Sequence, residues 1–484
     1  MADFKKRDLT PKSENISEWY NDVVVRGDLA DYSDVKGSMI IKPNGYAIWE
    51  AVQKNLDAKF KEAGVKNVYF PMFIPMSLLQ KEKDHLEGFS PELAVVTHAG
   101  GEELSEPYAV RPTSETIMYD TFAKWIKSYR DLPLLVNQWC NVVRWEKRTH
   151  PFLRTSEFLW QEGHTVHKTA DEAKEMALKA LNWYKEFYEN VFAISPFVGI
   201  KSDSERFAGA KQTYTIELVM PDGKALQAAT SHDLSDNFSK VFNIEFLNDS
   251  NEKVNPFQTS WGLSTRSIGG LILVHGDDAG LVLPPNVAPT QVVIVALGDK
   301  DASKQEELNK YVSKIAEQLK SVGVRVIVDD DNSQSMGSRI NKWELQGVPL
   351  RFEIGGKEMA HNEVTWVRRD TFEKGKMNAD SVAKEIPQVI SYIQEQMLEK
   401  SKKIKSDLTA EAKDFDEYKN ILETKRSFVR VYWCEEAECE AKVKQETKST
   451  TRCLELENID MEESAVCFHC GKPAKRKWLF GMSY

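Results

Sequence analysis

The sequence is short of cysteine, with six in 484 residues, and has no excess of positive charge: 64 Lys and Arg against 74 Asp and Glu give a net charge of −10. Six cysteines in so long a chain do not make a disulfide framework. The negative balance excludes a general nucleic-acid coat but leaves room for local basic patches. No apolar run is long enough to cross a bilayer; the greasiest stretch, Ser267 to Pro285, is broken by His275, Asp277 and Asp278. The start, Met-Ala-Asp-Phe-Lys-Lys-Arg, has no apolar signal core. These absences point to a cytoplasmic protein. The apolar share of 41% and charged share of 29% are those of a globular chain. Its length is too great for one core and predicts two to four domains.

The richest stretch runs from Asn141 to His164. It begins apolar, carries Arg144 and Glu146, turns through Lys147 to Pro151, and returns with Arg154 and Glu157. Two strands joined by a short basic loop fit that pattern, and one face of such a hairpin gathers several charges. Arginine there suits phosphate or carboxylate, which its planar fork grips with two bonds. A surface hairpin with ordinary salt bridges is the alternative until other segments are weighed.

Around it, Ile40 to Gly64 reads as a helix with Ile48, Val52, Leu56 and Phe60 at helical spacing. A strand is expected over Asn67 to Pro75, where Pro71 suggests an edge or an interface. Arg111-Pro-Thr113-Ser-Glu115 runs into a helix over Thr116 to Tyr129, which suits either ligand groups or capping. Lys168 to Tyr188 is an amphipathic helix that packs. Strands are expected over Thr213 to Val219 and Lys224 to Thr230, the second ending in Gln227, Thr230 and His232. Thr259-Ser-Trp261-Gly-Leu-Ser264-Thr-Arg266 opens an apolar helix reaching about Val274. Arg266 is a second phosphate-holding candidate, or a buried cation paired with Asp277 or Asp278.

Ala288-Pro289 marks a boundary. Beyond it, strands Gln291 to Leu297, Val324 to Val328, Leu350 to Ile354 and Glu363 to Arg368 alternate with helices. One helix carries Leu308, Val312, Ile315 and Leu319; another spans Met336 to Leu345. A closing helix from Val382 runs to Lys405, and the whole reads as a compact α/β unit. The tail carries Cys434-x4-Cys439 and Cys467-x2-Cys470, best explained by Zn²⁺ held tetrahedrally by four thiolates; with no open position, the metal is structural. Cys453 lacks a partner, Cys140 reads as a core thiol, and His469 is a substitute ligand. The basic run Lys472 to Lys477 reads as a solvated surface.

Taken in order, the proline-bearing strand, the Arg144-Trp-Glu146 hairpin and Arg266 at a glycine-containing helix start resemble the three signature motifs of class II aminoacyl-tRNA synthetases. Class I signatures and a Walker loop are missing. Arg111 to Glu115, Phe158-Leu-Trp-Gln-Glu-Gly-His164, Phe207-Ala-Gly209, Gln227 to His232, Trp261 to Arg266 and Val274-His-Gly-Asp277 resemble prolyl-tRNA synthetases of the archaeal and eukaryotic-like type. The likeness runs from about Asp3 to Tyr484.

The resemblance implies an α/β (α+β) chain in three parts. These are a class II catalytic domain built on an antiparallel sheet (1–287), an α/β anticodon-binding domain (288–400) and a small zinc-binding α/β domain (401–484). It implies that Arg144, Glu146, Arg154, Thr155, Gln227, Thr230, Ser264 and Arg266 bind ATP with its Mg²⁺, and that Arg144 and Arg266 stabilise the developing charge. Thr113, Glu115, Arg144 and His232 would orient proline, with Trp160, Glu162, His164, Phe207 and Trp261 shaping its pocket. In the second domain Glu344, Arg351 and Lys357 match base-reading positions, Glu344 and Arg351 as a surface ion pair being the alternative. A homodimer, tRNA(Pro) as partner and a structural Zn²⁺ on Cys434, Cys439, Cys467 and Cys470 follow by the same likeness. About sixty residues separate His164 from Gln227, too few for the bacterial type's editing insertion. Ala228-Ala229 and Ser264 depart slightly from the family pattern. A sibling for another amino acid, or a silent relative that binds RNA, are the rivals. The first should lack the Thr113, Glu115, Phe207 and His232 set, and the second should have lost Arg144 or Arg266.

Overall fold

Helix α1 (Pro43–Glu62) starts on a proline, harmless where no N–H is needed, and buries Ile48, Val52, Leu56 and Phe60 as their spacing predicted. The computed structural model describes residues 9–83 and 92–484, so the start of the chain lies outside the described residues. Strand β1 (Lys66–Asn67) does not continue to Pro75 as expected. Phe73–Pro75 pairs instead with Glu102–Val110 in a separate three-stranded sheet. Pro71, with no N–H for a ladder, lies in the gap. Helix α2 (Glu115–Trp125) stops short of the expected Tyr129, because Ser128 and Asp131 form a capping box for a separate turn.

The main sheet takes the chain through β2 (Leu134–Val143) and β3 (Glu157–His167), an antiparallel pair with Val143 opposite Glu157. Helix α3 (Ala170–Asn190) follows, then β4 (Phe197–Ile200), β5 (Gln212–Val219), β6 (Ala225–Ser235) and β7 (Phe257–Ser264). Strand β6 runs on past its expected end at Thr230. Helix α3 covers one face: Ser231 donates to the Ala177 carbonyl (2.7 Å), and Tyr184 to Gln161 (2.5 Å). Alternation along β3 therefore sends Trp160, Glu162 and His164 to the other face. Helix α4 (Arg266–His275) begins where β7 ends, so Thr259 to Ser264 are strand, not helix.

The second unit has β8 (Val292–Ala296), β9 (Val326–Asp329), helix α5 (Met336–Leu345), β10 (Leu350–Ile354), β11 (Glu363–Arg368) and β12 (Lys374–Asn378). Its sheet order is β9–β8–β10–β11–β12, parallel in the first three strands and antiparallel after. Strand β12 and a short helix, Gly356–His361, were not anticipated. The unit is tied to the end of α4 by Arg369, whose two terminal nitrogens meet both oxygens of Asp277 at 2.6 and 2.7 Å. Asp277 is thus the partner of Arg369, not of Arg266.

Helix α6 (Val382–Asp407) leads to the tail, with β13 (Thr409–Glu411), β14 (Phe428–Trp433), α7 (Ala437–Thr447), β15 (Thr450–Glu455) and β16 (Arg476–Gly481). Strand β15 pairs with β4, Leu454 opposite Ile200, so the tail extends the main sheet to eleven strands: β13–β14–β16–β15–β4–β5–β6–β7–β3–β2–β1. Gly199 permits this approach, since a Cβ there would lie 2.3 Å from the Leu454 carbonyl oxygen.

Candidate active site

On the sheet face away from α3 lies a cavity of about 300 Å³. A β-bulge helps shape it. Ile216 pairs with Ala229 and Glu217 with Gln227, leaving Ala228 as the extra residue. The extra residue turns Gln227 to the same face as Thr230 and His232, which simple alternation would not do. All three line the cavity.

Two arginines line it, close enough to influence each other. Arg144, just beyond β2, donates from Nε to the Pro112 carbonyl (3.0 Å), with its guanidinium over the rings of Phe158 and Trp160. Arg266, the first residue of α4, donates from Nε to the Leu153 carbonyl (2.9 Å). Burial lowers the pKa of both; nearby Arg266 adds to this at Arg144, and Arg154 adds to it at Arg266. Such a place favours an anion.

The acidic side is equally ordered. Thr113 donates to Glu115, both buried. Glu162 accepts from Ser114 (2.5 Å), Gln138 (2.9 Å) and His164 (3.0 Å). Burial opposes ionisation of both Glu162 and His164, yet their mutual hydrogen bond and attraction hold the Glu162 pKa down and raise that of His164. His232 differs. Burial, then repulsion from His164, takes it down to about 3, so it is neutral and exchanges a hydrogen bond with Thr213 (3.0 Å). The Phe207 ring lies 4.6 Å from that of His232, forming an apolar wall.

Of the expected ligand residues, Thr113, Glu115, Arg144, Trp160, Glu162, His164, Phe207, Gln227, Thr230, His232, Trp261, Ser264 and Arg266 border this one cavity. Trp261 does so with a qualification. Its indole packs against Gly163, Phe60 and Trp183 in the core, supporting the pocket from behind. Glu146, Arg154 and Thr155 do not line the cavity. Arg154 pairs with Glu146 (2.7 Å) near Arg266, and the Thr155 hydroxyl donates to the Glu157 carbonyl (2.7 Å). Phe158, Glu205, Thr213 and Ser260 also line it and were not among the expected ligand residues. Phe158 and Ser260 lie in step with Trp160 and Ser264 along their strands, a signal that was available. Ser260 Oγ is buried with no protein hydrogen-bond partner, as suits a group facing a ligand. Cys140, read as a core thiol, is only partly buried and accepts from Trp160 (3.2 Å).

In the second unit Arg351 bonds Glu344 and Glu353, each at 3.0 Å, and Lys374 reaches Glu353 at 2.7 Å. The Glu344–Arg351 pair is therefore real, but buried rather than on the surface. Lys357 stands apart, exposed on the short helix.

In the tail, the sulfurs of Cys434, Cys439, Cys467 and Cys470 all lie within 4.8 Å of one another. Cys439–Cys467 is 3.7 Å and Cys434–Cys470 is 3.6 Å. A tetrahedron with Zn–S bonds of about 2.3 Å has edges of roughly 3.8 Å, so the four thiols fit zinc. His469 is 3.5 Å from Cys439, adjacent to the set rather than within it. Cys453 is buried in the core.

The chain matches three family models: the class II core domain of tRNA synthetases for G, H, P, S and T over residues 97–275, an anticodon-binding domain over 291–389, and the prolyl-tRNA synthetase C-terminal domain over 415–484. It is 50% identical to proline–tRNA ligase 2 of Clostridioides difficile over 477 residues, spanning 99% of this chain and 98% of that one. It is 49% identical to proline–tRNA ligase of Acetoanaerobium sticklandii, with the same coverage. Among solved structures, prolyl-tRNA synthetase of Cryptosporidium parvum with halofuginone and AMPPNP superposes with a TM-score of 0.94 at 43% identity, over 98% of this chain and 99% of the other. The same enzyme with L-proline and AMP gives 0.93 at 42%, over 98% and 96%.

Proposed function

The chain belongs to the prolyl-tRNA synthetases, and we propose from this premise how its residues perform the reaction. The enzyme activates L-proline with ATP and transfers the prolyl group to the 3′ end of tRNA(Pro). In the first step a proline carboxylate oxygen attacks the α-phosphorus and pyrophosphate leaves, giving prolyl-adenylate. In the second, a ribose hydroxyl of the terminal tRNA nucleotide attacks the prolyl carbonyl and AMP leaves.

One observation carries the assignment: two arginines, a buried carboxylate set and an aromatic wall share one cavity. Arg144 sits where it can hold both the α-phosphate and the proline carboxylate, aligning the reactants. Arg266, at a helix start, suits the γ-phosphate end, with Ser264 beside it. Proline's secondary ammonium finds Glu115 and Thr113, and its ring finds Phe207 and Trp160. His232, kept neutral, orients proline without repelling the ammonium. Catalysis is then alignment plus charge stabilisation, with no side-chain nucleophile. ATP brings Mg²⁺, which adds charge neutralisation at the phosphates; Gln227 and Thr230 would face it. Glu146 and Arg154, paired beside Arg266, form a rim for the nucleotide, and Thr155 steadies the loop that carries them.

We divide the chain at 287 and 400, into catalytic, anticodon-binding and zinc-binding parts, in keeping with the separate five-stranded sheet and the four-cysteine tail. Glu344, Arg351 and Lys357 would bind the anticodon, the first two at base edges and the exposed Lys357 at the backbone. The four cysteines would hold a structural Zn²⁺. Exposed Tyr69 and Phe73, on either side of Pro71 where the chain passes from strand β1 to the three-stranded sheet, support a homodimer face there. No helix among the described residues is long and apolar enough to cross a membrane. A cytoplasmic site of action rests on the reaction itself, which serves translation.

The test is ATP–pyrophosphate exchange with each of the twenty amino acids, without tRNA. Exchange led by proline is expected. Exchange led by another amino acid would overturn the pocket assignment.

A further inference from the structure

We propose that Glu440, in the cysteine-bearing tail, is a positioning residue for the proline pocket, acting through the segment 202–207. This rests on the reading of the cavity as the proline site. Glu440 is 3% exposed, a costly position for a carboxylate unless its oxygens are well bonded. One oxygen stays within the tail, accepting from the N–H (3.0 Å) and hydroxyl (2.5 Å) of Thr451. The other leaves it, accepting from Ser202 Oγ (3.1 Å) and from Ser204 Oγ. Those serines belong to the catalytic part, more than 230 residues earlier.

The next residue, Glu205, lines the cavity, and tail residue Arg452 approaches its carboxylate at 3.6 Å. Two residues further, Phe207 forms the apolar wall on His232, its N–H donated to Thr213 Oγ1 (3.0 Å). Upstream, Lys201 is anchored twice, by its N–H to the Thr213 carbonyl (2.9 Å) and by Nζ to Glu217 (2.6 Å). Between Lys201 and Phe207 the chain forms turns and joins no sheet. Within that stretch Glu440 supplies a hold from outside, so the tail sets where Glu205 and Phe207 stand. A carboxylate serves because it can accept four hydrogen bonds, two for each part.

The experiment is exchange kinetics on the full-length enzyme. Glu440→Ala should raise KM for proline by roughly tenfold, the worth of one charge-assisted hydrogen bond. KM for ATP and kcat at saturating proline should hold within about twofold. Glu440→Gln keeps one acceptor oxygen for Thr451 and turns an NH2 donor towards the serine hydroxyls, which can rotate to accept, so it should recover most of the affinity. Ser204→Ala should move KM for proline in the same direction, and the Glu440→Ala/Ser204→Ala double variant should be no worse than Glu440→Ala alone. The proposal is overturned by folded variants with unchanged KM for proline, by additive effects, or by a uniform loss of all parameters that follows the melting temperature. Should Glu440→Ala fail to fold, Ser202→Ala/Ser204→Ala decides alone: a raised KM for proline supports the idea and an unchanged one rejects it. Absence of proline-dependent exchange in the unmodified enzyme would instead remove the reading of the cavity.

Discussion

Arg144 and Arg266 in the cavity and Arg351 in the second unit are all buried or half-buried cations, yet the fold treats them differently. The cavity pair is anchored through Nε to main-chain carbonyls, and each has another arginine among the neighbours that lower its pKa. Arg351 is held between two carboxylates. The first arrangement keeps an electrostatic strain that an incoming phosphate or carboxylate relieves, as functional sites do. The second is satisfied within the protein, so any anticodon base must compete with Glu344 and Glu353 for its donors. On the proposed reading, the cavity arginines serve chemistry first and the Arg351 cluster serves structure first.

The sharpest way to break that contrast is Arg144→Ala. Exchange should fall on the order of 10³-fold, comparable to deleting a key transition-state donor, while the melting temperature holds or rises. Normal exchange in this variant would remove Arg144 from the reaction. Arg351→Ala should do the reverse. It removes the guanidinium from between two buried carboxylates, of which Glu353 keeps Lys374, and should cost about 3 kcal/mol of stability, read by denaturant unfolding, while proline-dependent exchange persists in the folded protein. If exchange fell as far as in Arg144→Ala, the division of roles would be wrong.

The contrast was only partly legible in the sequence. The spacing of Ile48, Val52, Leu56 and Phe60 marked α1 because one helix reports its own periodicity. Strands β10 and β11 match their expected limits, Leu350 to Ile354 and Glu363 to Arg368, for the same local reason. What failed depended on register or distance. The bulge at Ala228 carries no glycine or proline to announce it, and it alone turns Gln227 to the ligand face. Trp261 borders the cavity, but its ring direction is decided by its pairing with Gly163, whose missing side chain leaves room for the indole. The pairing of β15 with β4 joins residues some 250 positions apart, beyond any local pattern. The Glu344–Arg351 pair was foreseen as a surface alternative, but its burial follows from packing α5 on its sheet, which local sequence does not reveal.

A smaller effect sharpens the electrostatic side. His232 is buried neutral at about 3, so its contribution to stability is present above the unfolded value of 6.5 and is lost as pH falls towards 3. His164 has the opposite sign: its raised pKa gives stability present below 6.5 and lost as pH rises through the folded value. His167 and His275, both lowered by burial to about 4, add to the acid-side loss. His232→Gln should flatten the stability curve between pH 6.5 and 4 by up to about 1.4 kcal/mol per pH unit, checked by urea unfolding across that range. An unchanged slope would mean that His232 is protonated in the fold, contrary to the proposal that this site accepts an ammonium.

The smallest expected change is at Lys357. It is exposed, lies outside the Arg351 cluster, and sits in the first turn of a six-residue helix. As a peripheral charge it would act on a nucleic-acid backbone at long range, not by reading a base edge. Lys357→Ala should therefore raise KM for tRNA only a few-fold, reduce the salt slope of tRNA binding by about one unit, and leave proline-dependent exchange untouched. Arg351→Lys, in contrast, keeps the charge but loses the fork, so it should weaken tRNA charging with little change in salt slope. If both variants changed the salt slope equally, Arg351 would be acting as a point charge too, and its burial between two carboxylates would need another reason.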